Sequence, residues 1–200
     1  MYDSDRYQVD PALVDAFVAS QRHGTLVACS PDGYPQTSIL PFVKTGDQIE
    51  LHCVQADPTF AALQANPRAT FLVSDYLGFA PHYWAQADDA GRGTLFFRAV
   101  QFECDAVLST EPADVAAALA RLLATFEPDA SYTPLEDGKF YGSRLRRLAT
   151  VRLTVRHTQA KFKAGPFGSD EMKRDYASKM RERAEPDDAR AAAVIESYLP

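Results

Sequence analysis

Two hundred residues, 46% hydrophobic and 24% charged, suit one soluble globular domain with room for a substantial core. A formal net charge of −6 argues against a strongly DNA-binding domain, though a local basic patch stays open. Cys29, Cys53 and Cys104 form no CxxC pair and read as small buried hydrophobes, not a disulfide frame or zinc site.

Asp10 can cap a helix and Pro11 suits its first position, with helical spacing through about Gln21. Thr25 to Ser30 reads as a strand, Pro31-Asp32-Gly33-Tyr34 as a turn, and Gln36 to Lys44 as a second strand in which Pro41 implies an edge or a bulge. Ile49 to Val54 alternates as a third strand, which makes an antiparallel meander with the first two. Asp57-Pro58 repeats the capping device and opens a short helix to about Asn66; Arg68 to Asp75 follows as a strand. Leu77 to Arg92 reads as an aromatic loop and Gly93 to Leu108 as a long or bent strand. Thr110 to Glu127 is the strongest helical pattern, with Leu119, Leu122, Leu123 and Phe126 on one face. A polar connector, Pro128 to Lys139, leads towards a last strand, Leu148 to Lys163, and two helices are expected over Ser169 to Arg183 and Pro186 to Leu199. The fold class is β-rich α+β, an antiparallel split β-barrel of about six strands with peripheral helices.

The stretch Phe79-Ala80-Pro81-His82-Tyr83-Trp84, with the strand opened by Thr94, organises this reading. Aromatic rings on a loop beside a rigid strand make a wall for a flat ligand. The competing reading is a loop that tucks the single Trp under itself to complete the core.

The chain also resembles a family. The opening Met1-Tyr2, Gly24-Thr25-Leu26-Val27, Asp32-Gly33 before Leu40-Pro41-Phe42, His52 with Ala56-Asp57-Pro58, Pro81 to Trp84, Thr94 followed by Phe97 and Ala99-Val100, and Lys161-Phe162-Lys163 look like the PaiB-type FMN-binding negative transcriptional regulators. The resemblance covers roughly residues 1 to 165. It implies the split β-barrel of pyridoxamine-phosphate-oxidase-like flavoproteins and a homodimer with flavin at the subunit interface. On that view residues 1–165 are an FMN-binding split-barrel domain and 166–200 its C-terminal helical extension. This chain departs from the family pattern at Ile39-Leu40-Pro41 (His-Leu-Pro there), at Val54 to Pro58 (Ala-Arg-Ala-Asn-Pro), at Thr94 to Phe97 (Thr-Trp-Asn-Tyr) and at Ala80 (Ser). Each change removes a hydrogen-bond donor or a positive charge.

FMN needs an apolar aromatic slot for its ring and cations, hydroxyls or free N–H groups for its phosphate. Phe79, Tyr83, Trp84, Phe96 and Phe97 suit the ring. The helix opening at Pro58 does not suit the phosphate, because Asp57 is negative and Pro58 has no N–H. Thr37, Ser38 and Thr94 offer hydroxyls, and Arg144, Arg146, Arg147, Lys161 and Lys163 offer charge; the resemblance singles out Lys161 and Lys163 from what is otherwise a solvated face. His52 and His82 are binding candidates against the alternative of structural histidines. No motif specifies a reaction, and no metal site is expected.

Three readings stand. The first is a flavin-binding split-barrel dimer, PaiB-like, with oxidoreductase activity as a further expectation. The second is a cofactor-free regulatory or interaction protein that kept the fold, with direct DNA binding left open. The third is a haem-binding split barrel with His52 or His82 on iron. The cofactor-binding set is Thr37, Ser38, His52, His82, Trp84, Thr94, Lys161 and Lys163, and the cofactor is FMN. The acidic Met1–Asp10 stretch is no signal peptide, no apolar run approaches a membrane span, and the cytoplasm is the expected location.

Overall fold

Pro41 divides what the sequence presents as one strand. In the computed structural model, which describes residues 9–85, 87–163 and 168–200, the run from Gln36 to Lys44 is two strands. They are β2 (Pro35–Leu40) and β3 (Val43–Thr45), which follow α1 (Pro11–Ser20) and β1 (Gly24–Cys29). The proline has no N–H for a ladder and its φ is fixed, so the strand ends there.

The remaining elements are β4 (Gln48–Val54), α2 (Pro58–Ala65), β5 (Arg68–Ala80), β6 (Thr94–Ser109), α3 (Pro112–Phe126), α4 (Gly142–Leu145), β7 (Leu148–Phe162), α5 (Asp170–Arg183) and α6 (Asp188–Glu196). Tight 3₁₀ turns lie at His82–Trp84 and Ala90–Arg92. Among the described residues the strands form one seven-stranded sheet in the order β2-β1-β5-β6-β7-β4-β3. The expected six-stranded split barrel is therefore corrected to an open seven-stranded order. The meander is corrected too: β1 pairs with β2 and β3 with β4, both antiparallel, but β2 and β3 stand at opposite ends of the order.

A third correction concerns the aromatic loop. Leu77 to Ala80 belong to β5, so the loop starts at Pro81. Buried positions alternate through Val73, then Leu77 and Gly78 are buried in succession and Ala80 resumes the alternation one residue out of phase. Gly78 sits at φ 151°, a conformation side chains rarely adopt, which lets the strand change phase and continue.

The caps were local and hold. Asp10 accepts the Ala12 amide at 2.7 Å and Asp57 accepts the Thr59 amide at 2.8 Å. On α3, the fully buried residues are Val115, Ala116 and Ala118, while Leu119, Leu122, Leu123 and Phe126 are only half-buried.

By packing, the chain divides into two units, and β5, β6 and β7 each contribute residues to both. One, the α2–α3 unit, comprises Phe17–Val73 and Gln101–Thr158. Its core is formed by Leu26, Ile49, Leu51, Phe71, Phe102 and Leu153, with a smaller cluster of Val115, Ala116 and Leu145. The other, the α5–α6 unit, comprises Ser74–Val100 and Gln159–Pro200 with the N-terminal residues through Ala16. Leu77, Ala177, Met180, Ala191, Ala192 and Ile195 form its core, and Trp84, Phe96 and Tyr176 pack against it. Met1-Tyr2 and the residue 165/166 boundary lie outside the described residues. No helix of the described residues is long and apolar enough to cross a membrane.

Candidate functional site

The expected site residues fall in both units. In the α2–α3 unit, Ser38 projects from β2 towards the start of α2. Its hydroxyl donates to Asp57 Oδ2 at 2.9 Å and lies 2.7 Å from Thr59 Oγ1. Asp57 Oδ1 accepts the Thr59 amide. Burial pushes the Asp57 carboxyl up, but the Thr59 amide and hydroxyl and the Ser38 hydroxyl outweigh it and hold the carboxyl below its ordinary range. The group is an ionised carboxylate at neutral pH. Thr37 is the neighbouring residue on the opposite face of β2 and is exposed.

His52 lies on β4, on the face shared with Gln48 and Glu50, opposite Thr150 of β7. It is half-buried, and burial lowers its pKa, so the ring is neutral at pH 7. Glu50 on the same face receives two of the Arg121 guanidinium nitrogens, at 2.6 and 2.8 Å, and is held low by that pair. Among the described residues no hydrogen bond joins His52 to Thr37 or Ser38. Two of the three arginines raised as charge donors are also engaged: Arg146 pairs with Asp137, and Arg144 lies 5.4 Å from the Phe140 ring.

The α5–α6 unit holds the aromatic residues. Trp84 is half-buried, with the Arg183 guanidinium 4.9 Å above its ring and the Tyr176 ring 6.1 Å away. Phe96 meets the same Tyr176 edge-on at 5.4 Å. Cations of the two C-terminal helices also reach main-chain carbonyls of residues 76–84. Lys179 donates to the Trp84 carbonyl at 2.8 Å, Arg183 to that of Phe79 at 2.7 Å, and Arg190 to that of Tyr76. Arg183 is itself oriented by the buried carboxylate of Asp188, at 2.9 and 2.5 Å.

What stays open in this unit is smaller than the sequence suggested. Tyr83 is 60% exposed and Phe79 48%, and His82 meets Tyr83 edge-on at 5.6 Å. Thr94 opens β6 half-buried. Lys161 and Lys163 stand half-buried at the end of β7 and just past it, and the Lys163 amide donates to the Phe97 carbonyl at 2.7 Å.

Sequence reasoning missed two sets of residues. Tyr176, Lys179, Arg183 and Arg190 cover the aromatic segment from nearly a hundred or more positions away, and nothing local signals it. Gln55, where the family pattern has Arg, donates to the carbonyls of Arg146 and Leu148 at 3.0 and 2.8 Å and ties the start of β7 in place.

Comparison with known proteins gives the class. Residues 1–157 match the family described as "Putative FMN-binding domain", and the chain belongs to that family. The cofactor that goes with it is a flavin, FMN. No curated protein sequence matches the chain. Among solved structures, the chain is similar to the flavocytochrome Anf3 from Azotobacter vinelandii, at 22% identity and TM-score 0.63, over 87% of this chain and 80% of that one. It is also similar to the FAD and heme binding protein from Mycobacterium smegmatis, at 16% identity and TM-score 0.60, over 84% and 78%. A conserved hypothetical protein from Mycobacterium tuberculosis matches at 21% identity and TM-score 0.58, over 82% and 91%. These likenesses show the fold, a sheet-rich antiparallel α+β arrangement.

The residues fit the two ends of a flavin unequally. Exposed Tyr83 and Phe79 with His82 suit an aromatic ring. The start of α2, with an ionised Asp57 and its donors already engaged, does not fit a phosphate.

Proposed function

We propose that this chain is a flavin-binding protein that acts as a homodimer, with the site at the subunit interface. The observation that carries this reading is the family match over residues 1–157. His82, Trp84 and Thr94 serve the ring and its polar edge, with Tyr83 and Phe79 as the exposed wall. Thr37, Ser38 and His52 contact the tail, and Lys161 and Lys163 supply positive charge. All eight are binding groups rather than catalytic ones. A PaiB-like regulatory role with oxidoreductase activity is the finer form of this reading, supported by the motif resemblance.

The test is the absorbance spectrum of freshly purified protein, before and after denaturation and after addition of FMN. A flavin spectrum that changes on unfolding is the expected result. A colourless protein that binds neither FMN nor riboflavin at micromolar concentration overturns the reading.

One observation favours a second reading, a cofactor-free regulator that kept the fold: the Ser38 hydroxyl and the Trp84 ring are already partnered within the chain. The same spectrum separates the two. Hemin added in parallel addresses the haem reading, prompted by the flavocytochrome and the FAD and heme binding protein that share the fold. A Soret band lost in His82→Ala or His52→Ala would establish it.

A further inference from the structure

We propose that Asp57 makes the start of α2 a corner for a neutral, hydroxylated tail and not for a phosphate, so that riboflavin binds this chain at least as tightly as FMN. This rests on the reading above, in which Ser38 contacts the tail of the flavin.

A helix start holds a phosphate by offering free N–H groups at the positive end of its dipole. The first turn of α2 offers none. Pro58 has no N–H, the Thr59 amide donates to Asp57 Oδ1 at 2.8 Å, and the Phe60 amide donates to the Asp57 carbonyl at 2.9 Å. The hydroxyls are spent in the same direction. A carboxylate cannot donate, so the single hydroxyl hydrogen of Ser38 goes to Asp57 Oδ2 at 2.9 Å, and the Thr59 hydroxyl, 2.7 Å from Ser38 Oγ and also acting on the Asp57 carboxylate, keeps its one hydrogen within the same group. Each of these polar hydrogens is engaged within the corner itself.

The corner therefore presents acceptors. A phosphate at neutral pH is an acceptor with nearly two negative charges, and it meets both like-charge repulsion and a lack of donors. A ribityl chain brings its own O–H donors to the free lone pairs of Asp57 and Ser38. Repulsion between a carboxylate and a nearby phosphate, even at the dielectric of water, amounts to about tenfold in affinity.

The test compares riboflavin and FMN by flavin-fluorescence titration on the full-length wild type and on Asp57→Asn. Asn keeps the amide acceptor for Thr59 and caps a helix as well as Asp, so the fold survives and a thermal melt verifies it. Asp129→Asn removes one exposed charge elsewhere as a control. The expected result is a wild type whose riboflavin affinity equals or exceeds its FMN affinity. Asp57→Asn then tightens FMN by about tenfold and leaves riboflavin within about twofold, and the control moves neither. A wild type that binds FMN at least about tenfold tighter than riboflavin, or an FMN-to-riboflavin ratio unchanged in Asp57→Asn, overturns the proposal. If neither flavin binds the wild type but FMN binds Asp57→Asn, the flavin reading fails for the natural chain and the role of Asp57 stands. If neither flavin binds either protein, both fall.

Discussion

The polar corner at Ser38 and the aromatic segment around Trp84 were both candidate binding surfaces in the sequence, and both are already partnered within the chain. They differ in where the partners come from. Ser38 is held by Asp57 and Thr59, 19 and 21 positions away. Trp84 and its neighbours are held by α5 and α6, with Lys179 95 positions from Trp84 and Arg183 104 from Phe79. The corner is a helix cap with one extra hydroxyl attached. The aromatic segment depends on a helical pair docking as a whole, through Tyr176 between two rings and cations on carbonyls. The first should be robust to single changes and the second cooperative.

The largest test of that contrast is Asp188→Ala. It leaves the Arg183 guanidinium, which spans the Trp84 ring and the Phe79 carbonyl, without its buried counter-charge. The expected loss is about 3 kcal/mol by urea unfolding, with a red shift of Trp84 emission. The effect has a pH signature. The Arg183 hydrogen bonds hold the Asp188 carboxyl below its ordinary range, so its stabilisation is complete above the ordinary carboxylate pKa and disappears as pH falls through the lower folded value. Asp188→Asn should therefore show a flatter acid limb than wild type, and equal slopes would break the assignment.

Tyr176→Ala comes next. It removes the ring shared by Trp84 and Phe96 and should cost about 2 kcal/mol, visible in the same melts and emission spectra. Asp57→Ala should cost least, about 1 kcal/mol, the usual value of an N-cap, and leave Trp84 emission unchanged. If Asp57→Ala cost more than Asp188→Ala, the contrast between a local cap and a docked helical pair would be reversed.

Much of this was legible because it is short-range. Asp10-Pro11 and Asp57-Pro58 announce helix starts, and Ile49, Leu51 and Cys53 alternate into the core as β4 requires. Pro41 was visible as an irregularity, but only the pairing shows that it parts β2 and β3 to opposite ends of the sheet. Leu77 to Ala80 looked like loop because the phase change at Gly78 breaks the alternation on which strands are recognised. Of the site, Asp57 was read as a negative cap unfit for phosphate, whereas the bond that takes the Ser38 hydroxyl out of play was not.

By itself the sequence determined the helix caps, most of the strand runs and the FMN-binding character of the family, since each rests on residue types close together in the chain. Tertiary structure alone decided the strand order, the partial covering of Trp84 by α5, and which hydroxyls and cations remain available. Those depend on donors and acceptors finding one another across many intervening residues, and a side chain shows its chemistry in the sequence but not whether another part of the chain has already used it.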